Sequence, residues 1–209
     1  MPVIYQQDIN EQTKIAVWKI EEEEEYFLDF VPIHRRITHP KKRLQHLAGR
    51  YLLQHLFPDF PYNEIMIADT KRPYLDDNKY HFSISHTKDY AAAIVSSIAR
   101  VGIDIEMPAD KVIKISDKFM HETELGLISQ LNTSMSAEQA YTMIWCAKES
   151  MYKWWGLGCV DFKEMLRIDS VSDDDNIKLS ARFIMPEGHQ TLELHHKQIE
   201  ELSLIWVAS

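Results

Sequence analysis

The stretch Val101-Gly102-Ile103-Asp104-Ile105-Glu106 alternates three aliphatic side chains with a glycine and two carboxylates. Successive side chains of a β-strand point to opposite faces, so the alternation predicts a strand that buries its aliphatic face. Asp104 and Glu106 would then leave the other face together, two residues apart. This spacing allows both carboxylates to approach one cation.

A second stretch, about forty residues further along the chain, reads Trp145-Cys146-Ala147-Lys148-Glu149-Ser150-Met151-Tyr152-Lys153. It lies in an apolar-rich run, Ala137–Trp155, that contains no glycine or proline. Because Ser136 can cap its start and a glycine follows its end, the run predicts a helix. Glu149 and Lys153 are four residues apart and would share one helix face. The two stretches together offer three carboxylates and two lysines, the set that a magnesium-dependent enzyme acting on a phosphate ester needs.

Composition indicates an ordinary globular chain. It has 209 residues, 45% of them hydrophobic, which suffices for a substantial core. The N-terminus lacks the basic start and apolar run of a signal peptide, and no apolar stretch is long enough to cross a bilayer. Cys146 and Cys159 have neither metal-ligand spacing nor the pattern of a disulfide framework. We therefore expect a cytoplasmic protein that is neither secreted nor inserted in a membrane.

The charge distribution argues against one function class and suggests another. A formal net charge of −9 argues against a general nucleic-acid binder, which must neutralise backbone phosphates. An acidic run at residues 21–25 predicts only the solvated first turn of a short helix. Positive charge is concentrated around the start of a helix predicted over residues 40–57, which makes this region a candidate anion-binding surface. The basic residues are His34-Arg35-Arg36, Lys41-Lys42-Arg43 and Arg50.

The predicted elements recur in two halves of about one hundred residues. Strands are predicted at 15–20, 65–68, 82–85 and 90–98 in the first half, and at Val101–Glu106, 165–168, 177–185 and 202–207 in the second. Helices are predicted at 40–57 in the first half, and at 113–130 and Ala137–Trp155 in the second. The order of elements suggests a duplicated α+β unit, with domains 1–100 and 101–209, although no sequence repeat is present.

These residues carry a resemblance to a known family. The stretch from Gly102 to Glu106, followed by Trp145-x-x-Lys148-Glu149-Ser150-x-x-Lys153, resembles the two signature motifs of Sfp-type 4'-phosphopantetheinyl transferases. Arg72-Pro73-Tyr74 and Ser83-Ile84-Ser85-His86-Thr87 are similar to further motifs of that family, in the same order. The resemblance implies an α+β fold of two pseudo-twofold-related halves with the active site in the cleft between them.

The resemblance also implies a reaction. Members of the family transfer the 4'-phosphopantetheine arm of coenzyme A to a serine hydroxyl of an apo acyl or peptidyl carrier protein, and they release 3',5'-ADP. Asp104, Glu106 and Glu149 would hold Mg²⁺, with manganese left open as an alternative. Lys148 and Lys153 would add positive charge at the coenzyme A phosphates. Either Glu149 or a metal-bound water would accept the serine proton, and the catalytic candidates are Asp104, Glu149 and Lys153.

The other end of coenzyme A is assigned by the same resemblance to polar residues of the first half. Arginine suits bidentate contact with phosphate oxygens. Arg72 stands where many family members have lysine. The candidate coenzyme A contacts in this half are Arg35, Arg43, Arg50, Arg72, Ser85 and His86.

The partner is expected to be an apo carrier protein, which is typically acidic around its modified serine. A local basic or apolar patch would meet it, and residues 111–120 and the Met151, Trp154 and Trp155 end of the long helix are the candidates. We expect a monomer, because the cleft would lie within one chain.

Two alternatives stay open at this point. A magnesium-dependent nuclease or phosphohydrolase would use a similar set of carboxylates, but it needs a basic surface with interleaved aromatic residues. A non-catalytic carrier-binding module would keep the fold and lose the metal ligands or lysines. Each motif also has an ordinary structural explanation, such as the exposed face of an edge strand or a surface helix pair.

Overall fold

The structure is a computed structural model that describes residues 3–31, 37–77, 79–131, 135–172 and 176–209. The predicted coenzyme A contact Arg35 lies outside these described residues. The chain divides into two compact units, Met1–Val101 and Gly102–Ser209. None of the described helices is long and apolar enough to cross a membrane.

The first unit is a four-stranded antiparallel sheet in the order β1-β2-β6-β5, with one long helix packed on it. Its elements, in chain order, are β1 (Val3–Asn10), β2 (Thr13–Lys19), α1 (Glu24–Leu28), α2 (Pro40–Leu56), a 3₁₀ turn (Tyr62–Glu64), β3 (Met66–Ile67), β4 (Pro73–Tyr74), β5 (His81–Thr87) and β6 (Tyr90–Ser96). The short strands β3 and β4 form a separate two-stranded sheet.

Local sequence signals set the start of α2, and its packing on the sheet explains Gly49. Pro40 occupies the first turn, where a missing N–H is harmless, and His39 Nδ1 accepts the backbone N–H of Lys42. A Cβ atom at Gly49 would lie 2.6 Å from Ile84 Cγ2, so the helix backbone approaches β5 closely there. The predicted helix 40–57 is confirmed to within one residue.

The second unit is a five-stranded sheet in the order β7-β11-β10-β9-β8, with its longest helix packed along β11. Its elements are β7 (Val101–Glu106), α3 (Asp110–Lys114), two 3₁₀ turns (Ser116–Lys118 and Glu122–Glu124), α4 (Leu125–Leu131), α5 (Ala137–Trp155), β8 (Leu166–Val171), β9 (Lys178–Met185), β10 (Gly188–Ile199) and β11 (Leu202–Ala208). The predictions for β7 and α5 are confirmed at both ends.

The single helix predicted over residues 113–130 is wrong, because the chain is broken there into α3, two 3₁₀ turns and α4. The break has a local cause at His121. Its ring nitrogen accepts the backbone N–H of Thr123, while the Glu124 carboxylate accepts the backbone N–H of His121. This capping box starts a new helical segment in the middle of the apolar pattern. The sequence pattern does not predict strands β1, β4 and β10.

The two units share one topological feature. In each, the strand that precedes the long helix (β2 before α2, β7 before α5) is hydrogen-bonded to the last strand of the unit, β6 or β11. Both units therefore combine helices with a multi-stranded sheet, as expected for a mixed α and β protein. A pseudo-twofold relation between the units, with the active site between them, stays a prediction.

Candidate active site

The site in the second unit depends on the close contact between α5 and β7. A Cβ atom at Gly102 would overlap the backbone oxygen of Ser150 and lie 2.8 Å from the backbone nitrogen of Trp154. Only a residue without a side chain lets the helix backbone rest on the strand at this point. β7 is an edge strand of its sheet, yet α5 covers the face that carries Gly102. Asp104, two residues further on the same face, is only 4% exposed.

Asp104 and Lys153 are joined directly across this contact. Lys153 Nζ donates a hydrogen bond of 2.6 Å to Asp104 Oδ1. The Asp104 side chain is 5% exposed and that of Lys153 is 24% exposed, so the pair borders solvent on the lysine side only. The structure thus brings together the two sequence motifs that lie 49 residues apart in the chain.

Glu149 is part of the same electrostatic environment. Burial, the nearby charge of Asp104 and that of Glu106 raise the pKa of Glu149 to about 7, against the opposing effect of Lys153. A carboxyl group with this pKa exchanges its proton near neutral pH, which suits a general base. The three predicted carboxylates are therefore close enough to influence one another. Over the described parts of the chain, no three His, Cys, Asp or Glu side chains form a group that could hold a metal ion on their own.

Two polar side chains of α5 hydrogen-bond to the backbone of β11 in the interface between the helix and the sheet. Ser150 Oγ donates to the carbonyl oxygen of Ile205 at 3.0 Å, and Cys146 Sγ donates to that of Ser203 at 3.7 Å. Burial, followed by the charges of Asp104 and Glu106, raises the pKa of the Cys146 thiol well above its usual value. Cys146 is therefore an unreactive packing residue rather than a nucleophile.

Lys148 does not join the carboxylate site. Its side chain is 0% exposed, and its ammonium group is bound by Glu124 Oε2 at 2.7 Å and by the carbonyl oxygens of Phe119 and Phe162. All three of its N–H donors are thereby used. The expectation that Lys148 contacts coenzyme A is therefore not retained, because the burial that satisfies its charge also removes it from any substrate.

In the first unit, Arg43 and Arg50 are already engaged by other side chains. Arg43 binds the Glu24 carboxylate with two nitrogens, at 2.7 and 2.6 Å, while a third reaches the carbonyl oxygen of Ile37. Arg50 is 7% exposed, with its guanidinium carbon 5.6 Å from the centre of the Tyr62 ring. Arg43 keeps one-third of its side chain exposed and can still meet an anion, whereas Arg50 serves mainly to pack the helix.

Ser85 and His86 lie near the end of β5, as expected. Ser85 is buried and His86 exposed, opposite Ala92 and Ala91 of β6. A second basic group gathers near the beginning of that strand. Burial and then the charge of Arg100 lower the pKa of Arg72.

His81 and Arg100 belong to this second group and were missed by sequence reasoning. The pKa of His81 is lowered by burial, then by Arg100, then by Arg72. His81 pairs with Ser96 across β5 and β6, and Ser96 Oγ accepts the backbone N–H of Ala99, three residues further along the chain. The position of Arg100 directly before the β7 motif was the one available signal.

Comparison with known proteins agrees with the geometry. Residues 100–207, more than half of the chain, match the model of the 4'-phosphopantetheinyl transferase superfamily. The chain is 32% identical over 114 residues to the 4'-phosphopantetheinyl transferase gsp of Aneurinibacillus migulanus, covering 54% of this chain and 46% of that protein. It is 30% identical over 134 residues to enterobactin synthase component D of Salmonella typhi, covering 62% and 56%.

A third relative is a putative 4'-phosphopantetheinyl transferase of Haemophilus influenzae, 29% identical over 127 residues that cover 58% of this chain and 53% of that protein. The chain thus spans about half the length of the curated relatives it matches. The matched region contains β7, α5 and every residue of the carboxylate site, and on this match the chain belongs to the 4'-phosphopantetheinyl transferase superfamily.

Proposed function

We propose that this protein transfers the 4'-phosphopantetheine group of coenzyme A to a serine hydroxyl of an apo acyl or peptidyl carrier protein. The observation that carries the proposal is the contact of α5 with β7. It joins Lys153 to Asp104 at 2.6 Å and places Glu149 under the influence of Asp104 and Glu106. This grouping lies within the region that matches the family.

Mg²⁺ is the proposed cofactor, with Asp104, Glu106 and Glu149 as the candidate ligands. All three donors are carboxylate oxygens, and their mutual repulsion, which contributes to the raised pKa of Glu149, would be relieved by a divalent cation. Magnesium usually takes only one or two carboxylates and completes its octahedron with substrate phosphates and waters. A site that needs the substrate phosphates to be complete fits this preference. When bound, the cation supplies positive charge to the phosphate oxygens.

The reaction is a displacement at phosphorus. The serine oxygen forms a bond to the phosphorus that carries the pantetheine arm, and the bond from that phosphorus to the bridging oxygen breaks. The bridging oxygen leaves with 3',5'-ADP, and the serine proton passes to Glu149 or to water. Lys153 contributes fixed positive charge toward the departing phosphate while it holds Asp104 in place.

The first unit supplies the proposed contacts to the nucleotide phosphates. Arg72, Ser85, His86 and Arg43 are the candidates there, and the guanidinium groups suit bidentate binding of phosphate oxygens. Arg43 would share its charge between the phosphate and Glu24, since both nitrogens that face Glu24 already donate to it.

The proposal is tested by incubating the purified protein with coenzyme A, Mg²⁺ and apo carrier proteins from fatty-acid, polyketide and peptide synthesis. Intact-mass spectrometry should show a gain of one phosphopantetheine on the carrier, dependent on both coenzyme A and Mg²⁺. Asp104→Asn should abolish the gain. Asp110→Asn is the matched control, because the Asp110 side chain is exposed and pairs with the exposed Lys114.

Absence of transfer to every carrier by the folded wild-type protein would refute the proposal. Cleavage of RNA or DNA by the same preparation would favour the nuclease alternative. Carrier binding without any mass gain would favour the non-catalytic module.

A further inference from the structure

Glu124 and Lys148 form an ion pair that is fully buried. Both side chains are 0% exposed, and Glu124 Oε2 lies 2.7 Å from Lys148 Nζ. The pair lies within the second unit, and its burial keeps both side chains away from any bound substrate. Lys148 is nevertheless the immediate neighbour of Glu149 on α5.

Backbone groups of the opposite polarity surround each charge of this pair. Around the ammonium are two backbone acceptors, the carbonyl oxygens of Phe119 at 2.5 Å and Phe162 at 3.0 Å. Around the carboxylate are two backbone donors, the N–H groups of His121 at 2.7 Å and Ile168 at 2.8 Å. One buried pair therefore ties α5 to the turn before α4, to the loop after α5 and to strand β8.

The energetics of such a pair favour a role in positioning. Two charges lose their hydration on burial, and an apolar pair of similar volume is often as stable or more stable. An ion pair differs from an apolar contact in being directional, because each hydrogen bond is satisfied in only one helix position. The best-attested use of buried polar groups is to fix register.

A fixed register matters here because the site is built on the next residue. Successive residues of a helix leave it about 100° apart, so Lys148 and Glu149 point to adjacent faces. The contact at Gly102 holds α5 on the strand side, and the bonds of Lys148 hold it on another. Rotation or sliding of α5 would therefore shift both Glu149 and Lys153 relative to Asp104 on β7.

We propose that Glu124 and Lys148 are positioning residues that set the register of α5 and thereby the geometry of the Asp104, Glu149 and Lys153 site. The expected loss of transfer rate rests on the proposed function, whereas the expected shift of α5 in the variants does not. Glu124 acts here through Lys148 and the backbone, without touching substrate.

The test uses Glu124→Gln, which removes the charge and keeps the shape, and the apolar double variant Glu124→Leu with Lys148→Met. For each we would measure the melting temperature, kcat and KM for phosphopantetheine transfer, and the crystal structure of the variant. Lys178→Met is the matched control, since Lys178 of β9 forms an exposed pair with Glu193 of β10 at 3.0 Å.

Positioning predicts a fall of at least tenfold in kcat for Glu124→Gln, with KM for coenzyme A within about twofold of wild type. The double variant should regain most of the melting temperature while kcat stays low, and its Lys153 Nζ to Asp104 Oδ1 separation should exceed the 2.6 Å of the wild type. Lys178→Met should change none of these quantities.

Wild-type kcat in a folded Glu124→Gln protein, or recovery of both kcat and melting temperature in the double variant, would overturn the proposal. Failure of Glu124→Gln to fold leaves the double variant to decide. If the wild-type protein transfers nothing, the proposed function fails, while the crystal structures still decide the positioning role. An unchanged Lys153 to Asp104 bond in the double variant would then contradict it.

Discussion

Lys148 and Lys153 lie five residues apart on the same helix, and the structure gives them opposite environments. Lys148 is fully buried, with Glu124 and two carbonyl oxygens as partners. Lys153 is 24% exposed and donates to Asp104 beside Glu149. The ammonium group of Lys148 donates all its hydrogen bonds to buried protein groups. Lys153, by contrast, borders solvent next to a cluster of carboxylates.

The difference shows that residue type and motif membership do not decide function. Both lysines belong to the same motif and both are predicted from the sequence to contact the coenzyme A phosphates, with Lys153 also a catalytic candidate. Their environments separate a side chain that holds the helix from one that is available to a phosphate. Variants at the two positions should therefore fail in different ways.

The largest stability effect is expected for Lys148→Met. Removing one member of a buried pair leaves Glu124 charged and uncompensated, which typically costs about 3–5 kcal/mol. Urea denaturation should show this loss in the free energy of unfolding. The exposed control Lys178→Met should stay within about 0.5 kcal/mol of wild type. Equal effects of the two substitutions would contradict the environment assigned to Lys148.

The next effect tests the contact of β7 with α5, the helix that carries both lysines. Gly102→Ala inserts a methyl group against the backbone of Ser150, so α5 must move. We expect a loss of about 1–3 kcal/mol in unfolding free energy, together with a fall of at least tenfold in transfer rate.

Gly126→Ala is the matched glycine control. Gly126 lies in α4, where an added Cβ meets nothing within 4 Å. Alanine there should stabilise the protein by up to about 1 kcal/mol and leave transfer unchanged. A Gly102→Ala protein as stable and active as the Gly126→Ala protein would show that α5 does not rest on β7.

A smaller effect is expected at the start of α5. Ser136 Oγ accepts the backbone N–H of Gln139, while the Gln139 side chain accepts that of Ser136. Ser136→Ala should cost about 1 kcal/mol in a denaturation curve. Because this cap is about 20 Å along the helix from Glu149, kcat should remain within twofold of wild type. A large loss of kcat would mean that the bonds of Lys148 do not hold the register by themselves.

The pH dependence of stability tests the environment of Glu149. Its pKa is raised from 4.5 to about 7 in the folded state, so the folded protein binds this proton more tightly than the unfolded chain. The stabilisation that comes from protonated Glu149 should fall as the pH rises from about 4.5 to about 7. It should stay constant at higher pH.

Differential scanning fluorimetry without metal, comparing wild type with Glu149→Gln, would measure this slope. The wild-type melting temperature should decline relative to the variant across that window, and excess Mg²⁺ should reduce the decline. Parallel curves for the two proteins would show that Glu149 titrates near its ordinary pKa.

The elements that carry the site could be predicted from the sequence because their signals are local. Val101–Glu106 alternates at the strand period, and Ser136 and Gly156 bound a continuous helical run. The break at His121 could not be predicted, because the apolar pattern continues through it and only a side-chain cap interrupts the helix.

The candidate site was predicted in part. Grouping Asp104 with Glu149 and Lys153 came from family resemblance, and no spacing rule gives a contact between residues 49 apart. The burial of Lys148 depends on Glu124, whose part in the site no sequence pattern indicated. Arg100 and Arg72 both influence the pKa of His81, and this proximity depends on tertiary structure that a single sequence does not reveal.

The most direct test of the account is the transfer rate and melting temperature of Lys153→Met, measured on one preparation. The Asp104 carboxylate is nearly buried while Lys153 borders solvent, so the loss of this pair should cost about 1–3 kcal/mol of unfolding free energy, less than the loss expected for Lys148→Met. We expect a folded protein whose transfer of phosphopantetheine to a carrier falls by about a hundredfold or more. A folded Lys153→Met protein that transfers at the wild-type rate would contradict it.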